Sequence, residues 1–260
     1  MWYRVTVGVL FCLLGYSVLA ADLIREQRMA AEIEEAILVG EPVYLKDGDH
    51  EFLAIHAESE LDQLYGGVIV VHGRGAHPDW TEVVNPMRSN LPGQGWETLS
   101  LQMPVAEADA PGSVYQALIP ESFPRIAAGV AFFKERGIEN IVIIAHSLGA
   151  RMTAAYLGEN ATNPDVKAFV AVSLPVGDAE QGELALEALE RIKIPVLDIY
   201  GSRDIDAVLT SVKQRAAAGR KAQNPQYSQV EITGADHFFV GLAPTLVSRV
   251  HAWLRRVSGS

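Results

Sequence analysis

The amino-acid sequence predicts an α/β fold, with a mostly parallel sheet and helices on both of its faces. Two observations predict it. From residue 67 onward, short apolar segments of strand length alternate with longer segments in which apolar residues recur at helical spacing. Some short segments, such as GVIVVH over residues 67–72, are apolar throughout, which is typical of strands buried on both faces. The sequence contains no repeat and no linker, so residues 21–260 are expected to form one domain.

The elements follow from these patterns in chain order. Residues 22–38 have helical spacing, and residues 43–45 and 52–57 flank the turn sequence Lys46-Asp47-Gly48-Asp49, which predicts an antiparallel hairpin. Further strands are predicted at residues 67–72, 98–103, 140–145, 166–173, 195–200 and 229–233. Helices are predicted at residues 80–91 (with a break near Pro86), 123–136, 147–158, 183–192, 205–220 and 242–256. The longest irregular stretch is expected at residues 104–120.

Charge and cysteine content exclude several classes of function. The formal net charge is −11, which disfavours binding to nucleic acid or to an anionic membrane surface. The chain has one cysteine, Cys12, which lies in the N-terminal apolar run. Without that run the chain could form neither a disulfide nor a thiolate metal site.

The first twenty residues have the pattern of a secretory signal peptide. Arg4 precedes residues 5–20, which contain no charged residue and end in Val18-Leu19-Ala20, with small residues at the −3 and −1 positions. The pattern predicts cleavage after Ala20 and export, with a mature chain in the periplasm. The alternative is an uncleaved anchor in the inner membrane, facing the periplasm; only then would the membrane be a partner.

A serine stands where an apolar strand is expected to turn into a helix, in Ala145-His146-Ser147-Leu148-Gly149. In parallel α/β sheets, ligands bind beyond the carboxyl ends of the strands, so Ser147 is a candidate functional residue. A serine that only caps the helix would give the same short pattern, and this stretch alone leaves both readings open. A serine nucleophile also needs a base, an orienting acid and donors for an oxyanion.

The stretch around Ser147 resembles the nucleophile elbow G-x-S-x-G of α/β-hydrolases, with Ala145 in place of the first glycine. In that family the acid and the histidine follow the serine along the chain. The resemblance implies that Asp204 is the acid, because it follows the strand-ending Gly201 by three residues. Asp206 is the alternative acid, and Asp198 lies too early in its strand. Asp204 could instead only cap the following helix.

The resemblance also implies the base and the oxyanion donors. His237 follows the last strand in Gly234-Ala235-Asp236-His237, although a solvated loop histidine would look the same. The other histidines lie too early in the chain or, at position 251, within the last helix. The sequence His72-Gly73-Arg74 is similar to the family's oxyanion loop, so the backbone N–H groups of Arg74 and Leu148 are the expected donors.

The resemblance extends over about residues 43–257 and is greatest to a little-characterised group of exported bacterial α/β-hydrolase-like proteins of unknown function. Residues 174–182 are too few for a large lid, so we expect an open cleft, walled by the 104–120 stretch, that suits short acyl chains. The alternative is that the 104–120 stretch folds over Ser147 as a small lid, with Tyr115, Leu118 and Ile119 lining a tunnel for a lipid-like substrate. Trp80, Met103 and Tyr115 are candidate pocket residues. The Arg74 side chain either meets an anionic group of the substrate or is only solvated.

These features together predict a serine hydrolase that cleaves an ester, or a thioester or amide, in a small acyl substrate. The catalytic residues would be Ser147, Asp204 and His237. A non-catalytic binding or envelope-scaffold protein is one alternative, and an exported serine peptidase is another. No cofactor and no metal are expected, because the carboxylates at positions 204, 206 and 236 lack a recognisable ligand spacing around the one nearby histidine.

Overall fold

The computed structural model describes residues 20–161, 165–176 and 179–257, without the side chains of residues 179–183. Residues 1–19 of the predicted signal peptide lie outside this part of the chain. Within it, eight strands form one sheet in the order β1-β2-β4-β3-β5-β6-β7-β8. The strands are β1 (Glu41–Asp47), β2 (His50–Ala57), β3 (Gly66–Val71), β4 (Trp96–Leu101), β5 (Ile141–His146), β6 (Val166–Val172), β7 (Val196–Arg203) and β8 (Tyr227–Asp236).

The sheet is parallel from β4 to β8, and the N-terminal hairpin adds two antiparallel strands at one edge. The helices of the described residues are α1 (Leu23–Ala36), α2 (Val84–Asn90), α3 (Gly112–Glu121), α4 (Phe123–Glu135), α5 (Leu148–Glu159), α6 (Ala179–Leu189), α7 (Asp206–Leu209), α8 (Val212–Lys221) and α9 (Ala243–Val257). None of them is long and apolar enough to span a membrane. The predicted α/β class and its mostly parallel sheet are therefore confirmed.

Helices cover both faces of the sheet, which explains why the central strands are apolar throughout. Successive residues of a strand point to opposite faces. Ile143 therefore packs in the cluster that includes α3, α4, α5, α6 and α8, whereas Ile144 packs in the cluster that includes α2 and α9. Since α6 begins soon after β6 ends, no large lid is inserted between them.

Three expected elements differ from the structure. The helix expected at residues 80–91 with a break near Pro86 is the shorter α2 (Val84–Asn90), which is continuous through Pro86. Residues 104–120 are not irregular throughout, because α3 forms within them. Two prolines frame this helix: Pro111 precedes it, and Pro120 lies in its last turn, where α3 is about to end. Burial of Tyr115 and Leu118, three positions apart on one face, stabilises α3 against the core.

The predicted helix at residues 205–220 is instead two helices, α7 and α8. The break lies at Ser211, beside the buried side chain of Arg215. Nη1 of Arg215 donates to the Val208 carbonyl at 2.8 Å and to the Ser211 hydroxyl at 2.6 Å, and its Nε donates to Asp198 at 2.8 Å. These bonds satisfy a carbonyl that a continuous helix would have bonded internally.

The first helix is part of the fold through a buried group of charges. Glu26 of α1 accepts a hydrogen bond from the Val105 N–H at 3.1 Å and one from Nη1 of Arg125 at 2.8 Å. Nε of Arg125 donates to Asp47 at 2.6 Å, and Arg125 is only 2% exposed. This group ties α1 to α4, to the hairpin and to the segment after β4.

Candidate active site

Four polar residues meet at the carboxyl edge of the sheet. Each follows directly on a strand of the contiguous set β5, β6, β7 and β8, so the parallel arrangement brings together residues that are far apart in the chain. In strand order they are Ser147, Ser173, Asp204 and His237. Three of them were predicted from the sequence; Ser173 was not.

Ser147 occupies a strained turn between β5 and α5. Its φ is 54° and its ψ is −119°, a conformation that non-glycine residues rarely adopt. Its side chain does not cap α5, so the alternative of a plain capping serine does not fit. The turn is also tight: a Cβ atom on Gly149 would lie 2.3 Å from the carbonyl oxygen of His72. Only glycine allows this approach of α5 to the end of β3.

Ser147, His237 and Asp204 form a continuous chain of hydrogen bonds. The Ser147 hydroxyl lies 2.9 Å from Nε2 of His237, and Nδ1 of His237 lies 2.6 Å from Oδ1 of Asp204. Asp204 is 5% exposed and His237 is 8% exposed, whereas Ser147 is only half-buried. This arrangement can accept the hydroxyl proton on His237 while leaving Ser147 open to a ligand.

Asp204 is held as a carboxylate by four donors. Oδ1 accepts from His237 and from the Ile205 N–H at 2.8 Å, and Oδ2 accepts from the Ser173 hydroxyl and from the Gly201 N–H at 3.3 Å. Burial alone would raise the pKa of Asp204, but the bonds from His237 and Ser173 outweigh it and hold that pKa below its ordinary value.

The other two candidate acids lie elsewhere. Asp198 is buried within β7, where its Oδ2 accepts from Arg215, Tyr227 and Gln229. Asp206 is exposed in the first turn of α7. Neither makes the contact with His237 that Asp204 makes. The only sequence signal for the missed Ser173 is its position directly after β6, the strand beside β7.

Two histidines that sequence order excludes as bases support the site as neutral rings. Burial lowers the pKa of His146 to about 4, and its Nε2 lies 2.9 Å from the carbonyl oxygen of His237, to which it donates. Burial likewise lowers the pKa of His72 to about 3. Nδ1 of His72 donates to the Gly73 carbonyl at 2.8 Å, and its Nε2 accepts from the Met103 N–H at 2.9 Å. His72 thereby fixes the loop that leads to Arg74.

The Arg74 loop runs beside the serine. A Cβ atom on Gly73 would lie 3.1 Å from Cβ of Ser147, so the backbone of this loop passes next to Ser147. Leu148 begins α5 on the other side of the same turn. The guanidinium of Arg74 stacks on the Tyr115 ring at 3.9 Å from its centroid, which links this loop to α3.

The three predicted pocket residues are placed differently from one another. Tyr115 lies under Arg74 near the serine. Met103 is 1% exposed and packs in the core, so its side chain does not face a cleft as predicted. Trp80 packs on the ring of His77 and against the cluster that includes α2 and α9. Within the described residues, no group of three histidine, cysteine or carboxylate side chains could hold a metal ion.

Comparisons with known proteins agree with this fold. A family model described as protein of unknown function (DUF3530) matches residues 20–124 and 116–256. No curated protein sequence matches the chain. Among solved structures, Est1E from Butyrivibrio proteoclasticus with bound ferulic acid has a TM-score of 0.66 at 16% identity, covering 84% of this chain and 100% of that one.

Two further structures resemble the chain to a similar degree. An alpha-beta serine hydrolase homologue from Coxiella burnetii has a TM-score of 0.63 at 17% identity and covers 85% of this chain and 99% of its own. The Pyrococcus furiosus esterase Pf2001 has a TM-score of 0.66 at 18% identity, with 84% of this chain and 92% of its own chain covered. The α/β-hydrolase fold that the sequence motifs implied is thereby confirmed.

Proposed function

The chain belongs to the family of proteins of unknown function DUF3530, and we propose that it is a serine hydrolase that cleaves an ester through an acyl-enzyme. The observation that carries the proposal is the chain of hydrogen bonds from Ser147 through His237 to Asp204. The esterases and serine hydrolases among the similar folds support the same reaction class.

In the proposed reaction the Ser147 oxygen attacks the carbonyl carbon, and Nε2 of His237 takes the hydroxyl proton. The backbone N–H groups of Arg74 and Leu148 stabilise the oxyanion. His237 then returns the proton to the leaving group. Water, activated by the same imidazole, releases the acyl group and regenerates the serine.

The environment of Asp204 decides which nitrogen of His237 can act as the base. An ionised Asp204 accepts the Nδ1 proton, so the lone pair of the neutral ring lies on Nε2, facing Ser147. Since the bonds to Asp204 keep its pKa low, Asp204 stays ionised across the neutral range. The carbonyl oxygen of His237 is held by His146, which limits movement of the ring-bearing loop.

We also propose that the chain is exported, on the strength of its N-terminal pattern, and that its partner is a small acyl substrate. An ester is the preferred substrate because its alcohol is a better leaving group than the amine of an amide; thioesters and amides would use the same groups. A non-catalytic scaffold would keep the fold without turnover, and a peptidase would cleave peptide amides.

The test combines a fluorophosphonate probe with hydrolysis of p-nitrophenyl acetate. We expect the native chain to be labelled and to turn over the ester. Ser147→Ala should abolish labelling and lower kcat by about 10⁴-fold or more. The matched control, Ser248→Ala, changes an exposed serine of α9 and should have no effect. Labelling and turnover by a folded Ser147→Ala variant would refute the proposal, and a native chain that is neither labelled nor active would favour the scaffold.

A further inference from the structure

A groove of about 600 Å³ lies between α3, α5 and α6. Its floor consists of small residues of α5 and α6, and one wall is formed by apolar residues at the end of α3 and the start of α4. The floor residues are Ala155, Gly158, Ala185 and Ala188, and the wall residues include Ile119 and Phe123. The volume falls within the usual range for small-molecule sites.

The groove follows the face of α5 that starts at the serine. Ser147 is the N-cap of α5, and the groove residues Arg151, Ala155 and Gly158 follow it at intervals of three and four positions, so they share one face of the helix. With a rise of 1.5 Å per residue, Gly158 lies about 17 Å beyond Ser147 along the helix axis. The groove itself begins at Arg151 and spans about 10 Å along α5 from there to Gly158, so an acyl chain that extends from Ser147 to the far end of the groove would be of medium or long length.

The small residues of the floor allow α5 and α6 to approach each other closely, and they leave the groove above this contact unfilled. A Cβ atom on Gly158 would lie 2.9 Å from Cα of Ala188, so α5 and α6 are in near contact there. Closer to the serine, Ala155 is only half-buried. Large apolar residues at these positions would fill the space, and their absence keeps an apolar trough open beside the site.

Polar side chains of α3, α5 and α6, Ser113 and Gln116 among them, line the trough beside its apolar residues. At the serine end, Nη2 of Arg151 bonds to Oε1 of Gln116 of α3 at 3.3 Å. At the far end, Glu159, Glu187 and Arg191 line the groove. An apolar floor of this length suits a linear hydrocarbon chain better than a sugar or a peptide, whose polar groups would find few partners along it.

We propose that this groove binds the acyl chain of the ester that Ser147 cleaves, which makes the substrates esters of medium- or long-chain fatty acids. The inference rests on the proposed function. It replaces the expectation of short acyl chains, which assumed an open cleft beside an irregular 104–120 stretch. The wall contributed by α3 supplies the apolar surface that such a cleft would lack.

A series of p-nitrophenyl esters from acetate to dodecanoate tests the proposal. We expect kcat/KM to rise from acetate to octanoate or beyond, by up to about fourfold for each methylene that is fully buried. Ala155→Phe should narrow the groove and lower the ratio of kcat/KM on octanoate to that on acetate at least tenfold. Ala252→Phe, at an exposed alanine of α9, is the matched control and should leave this ratio unchanged.

A second variant keeps the test valid if Ala155→Phe does not fold. Leu184 is 57% exposed at the rim of the groove, so Leu184→Glu should fold and should lower the same ratio by placing a charge beside the chain. A native chain that prefers acetate, with a ratio that neither folded variant alters, would overturn the groove assignment while the serine hydrolase stands. Loss of the proposed function itself would appear separately, as turnover of acetate that survives Ser147→Ala.

Discussion

Replacement of Asp204 by asparagine removes one charge from the site and disturbs its hydrogen bonds in either orientation of the new amide. If the amide oxygen takes the place of Oδ1, the NH₂ group faces the Gly201 N–H, which now donates to Oδ2. If the amide is turned over, the NH₂ group faces the Ile205 N–H and Nδ1 of His237. In that second orientation His237 would carry its proton on Nε2 and could not accept one from Ser147.

The expected loss follows from the tautomer and the missing charge. Asparagine at the corresponding place of a serine–histidine–aspartate triad lowers kcat by about 10⁴-fold, or about 5.5 kcal/mol in the activation free energy. We expect a loss of this order for Asp204→Asn in hydrolysis of p-nitrophenyl acetate at pH 7. The control is Asp206→Asn: Asp206 is an exposed carboxylate of α7, two residues away, and its variant should keep its rate within a factor of about three.

The assignment of Asp204 as the acid is refuted if Asp204→Asn loses little activity, or if Asp206→Asn loses more. A folded Asp204→Asn chain that keeps more than a tenth of the native kcat would mean that Asp204 does not orient His237. A larger loss at Asp206 would move the acid two residues along the chain. Circular dichroism and urea unfolding of both variants separate a loss of activity from a loss of the native fold.

Two further predictions concern stability and processing. Because burial lowers the pKa of His72 to about 3 and that of His146 to about 4, the unfolded chain binds more protons than the native chain between pH 6.5 and 4. The free energy of unfolding should fall with decreasing pH in this window, by up to about 2.7 kcal/mol per pH unit for the two rings together. Equal free energies of unfolding in urea at pH 7 and at pH 5 would contradict this. Cleavage after Ala20 should leave the amino group of Ala21 3.2 Å from Oε2 of Glu121. Because Glu121→Gln removes the charge opposite this amino group, it should lower the Tm of the mature chain by a few degrees. An intact mass that retains residues 1–20 would contradict cleavage.

The strands of this fold are predictable because burial on both faces leaves an uninterrupted apolar run. The expected strand at residues 140–145 differs from β5 (Ile141–His146) by only one residue at each end. Helix α3 is not predictable in the same way, because prolines at both of its ends resemble the signals of a loop. What stabilises α3 is the burial of Tyr115 and Leu118 against residues far along the chain, and a local pattern does not report such contacts.

The candidate triad could be found from the sequence because each member follows directly on a strand, and the order of the strands is constrained by the fold. The supporting groups could not be found in this way. Ser173 contacts Asp204 only because β6 pairs with β7, and His72 binds the Met103 N–H only because β3 lies beside β4. Sequence order rejects His72 and His146 as bases and places His72 at the start of the expected oxyanion loop, but no local pattern shows that burial keeps both rings neutral.

The buried Arg125 limits how small a functional version of this protein can be. A chain that began at the hairpin would keep Ser147, Asp204 and His237, but it would lose Glu26, which is one of the two carboxylates paired with Arg125 and which holds the Val105 N–H. Arg125 would keep its ion pair with Asp47, so the loss is smaller than the roughly 3 kcal/mol that breaking a whole buried ion pair costs. The segment released would be the one whose Met103 N–H anchors His72, and so the oxyanion loop. The first helix is thus part of the structure that holds the loop leading to Arg74, and a shortened chain that keeps this support includes the helix from its N-cap, Asp22.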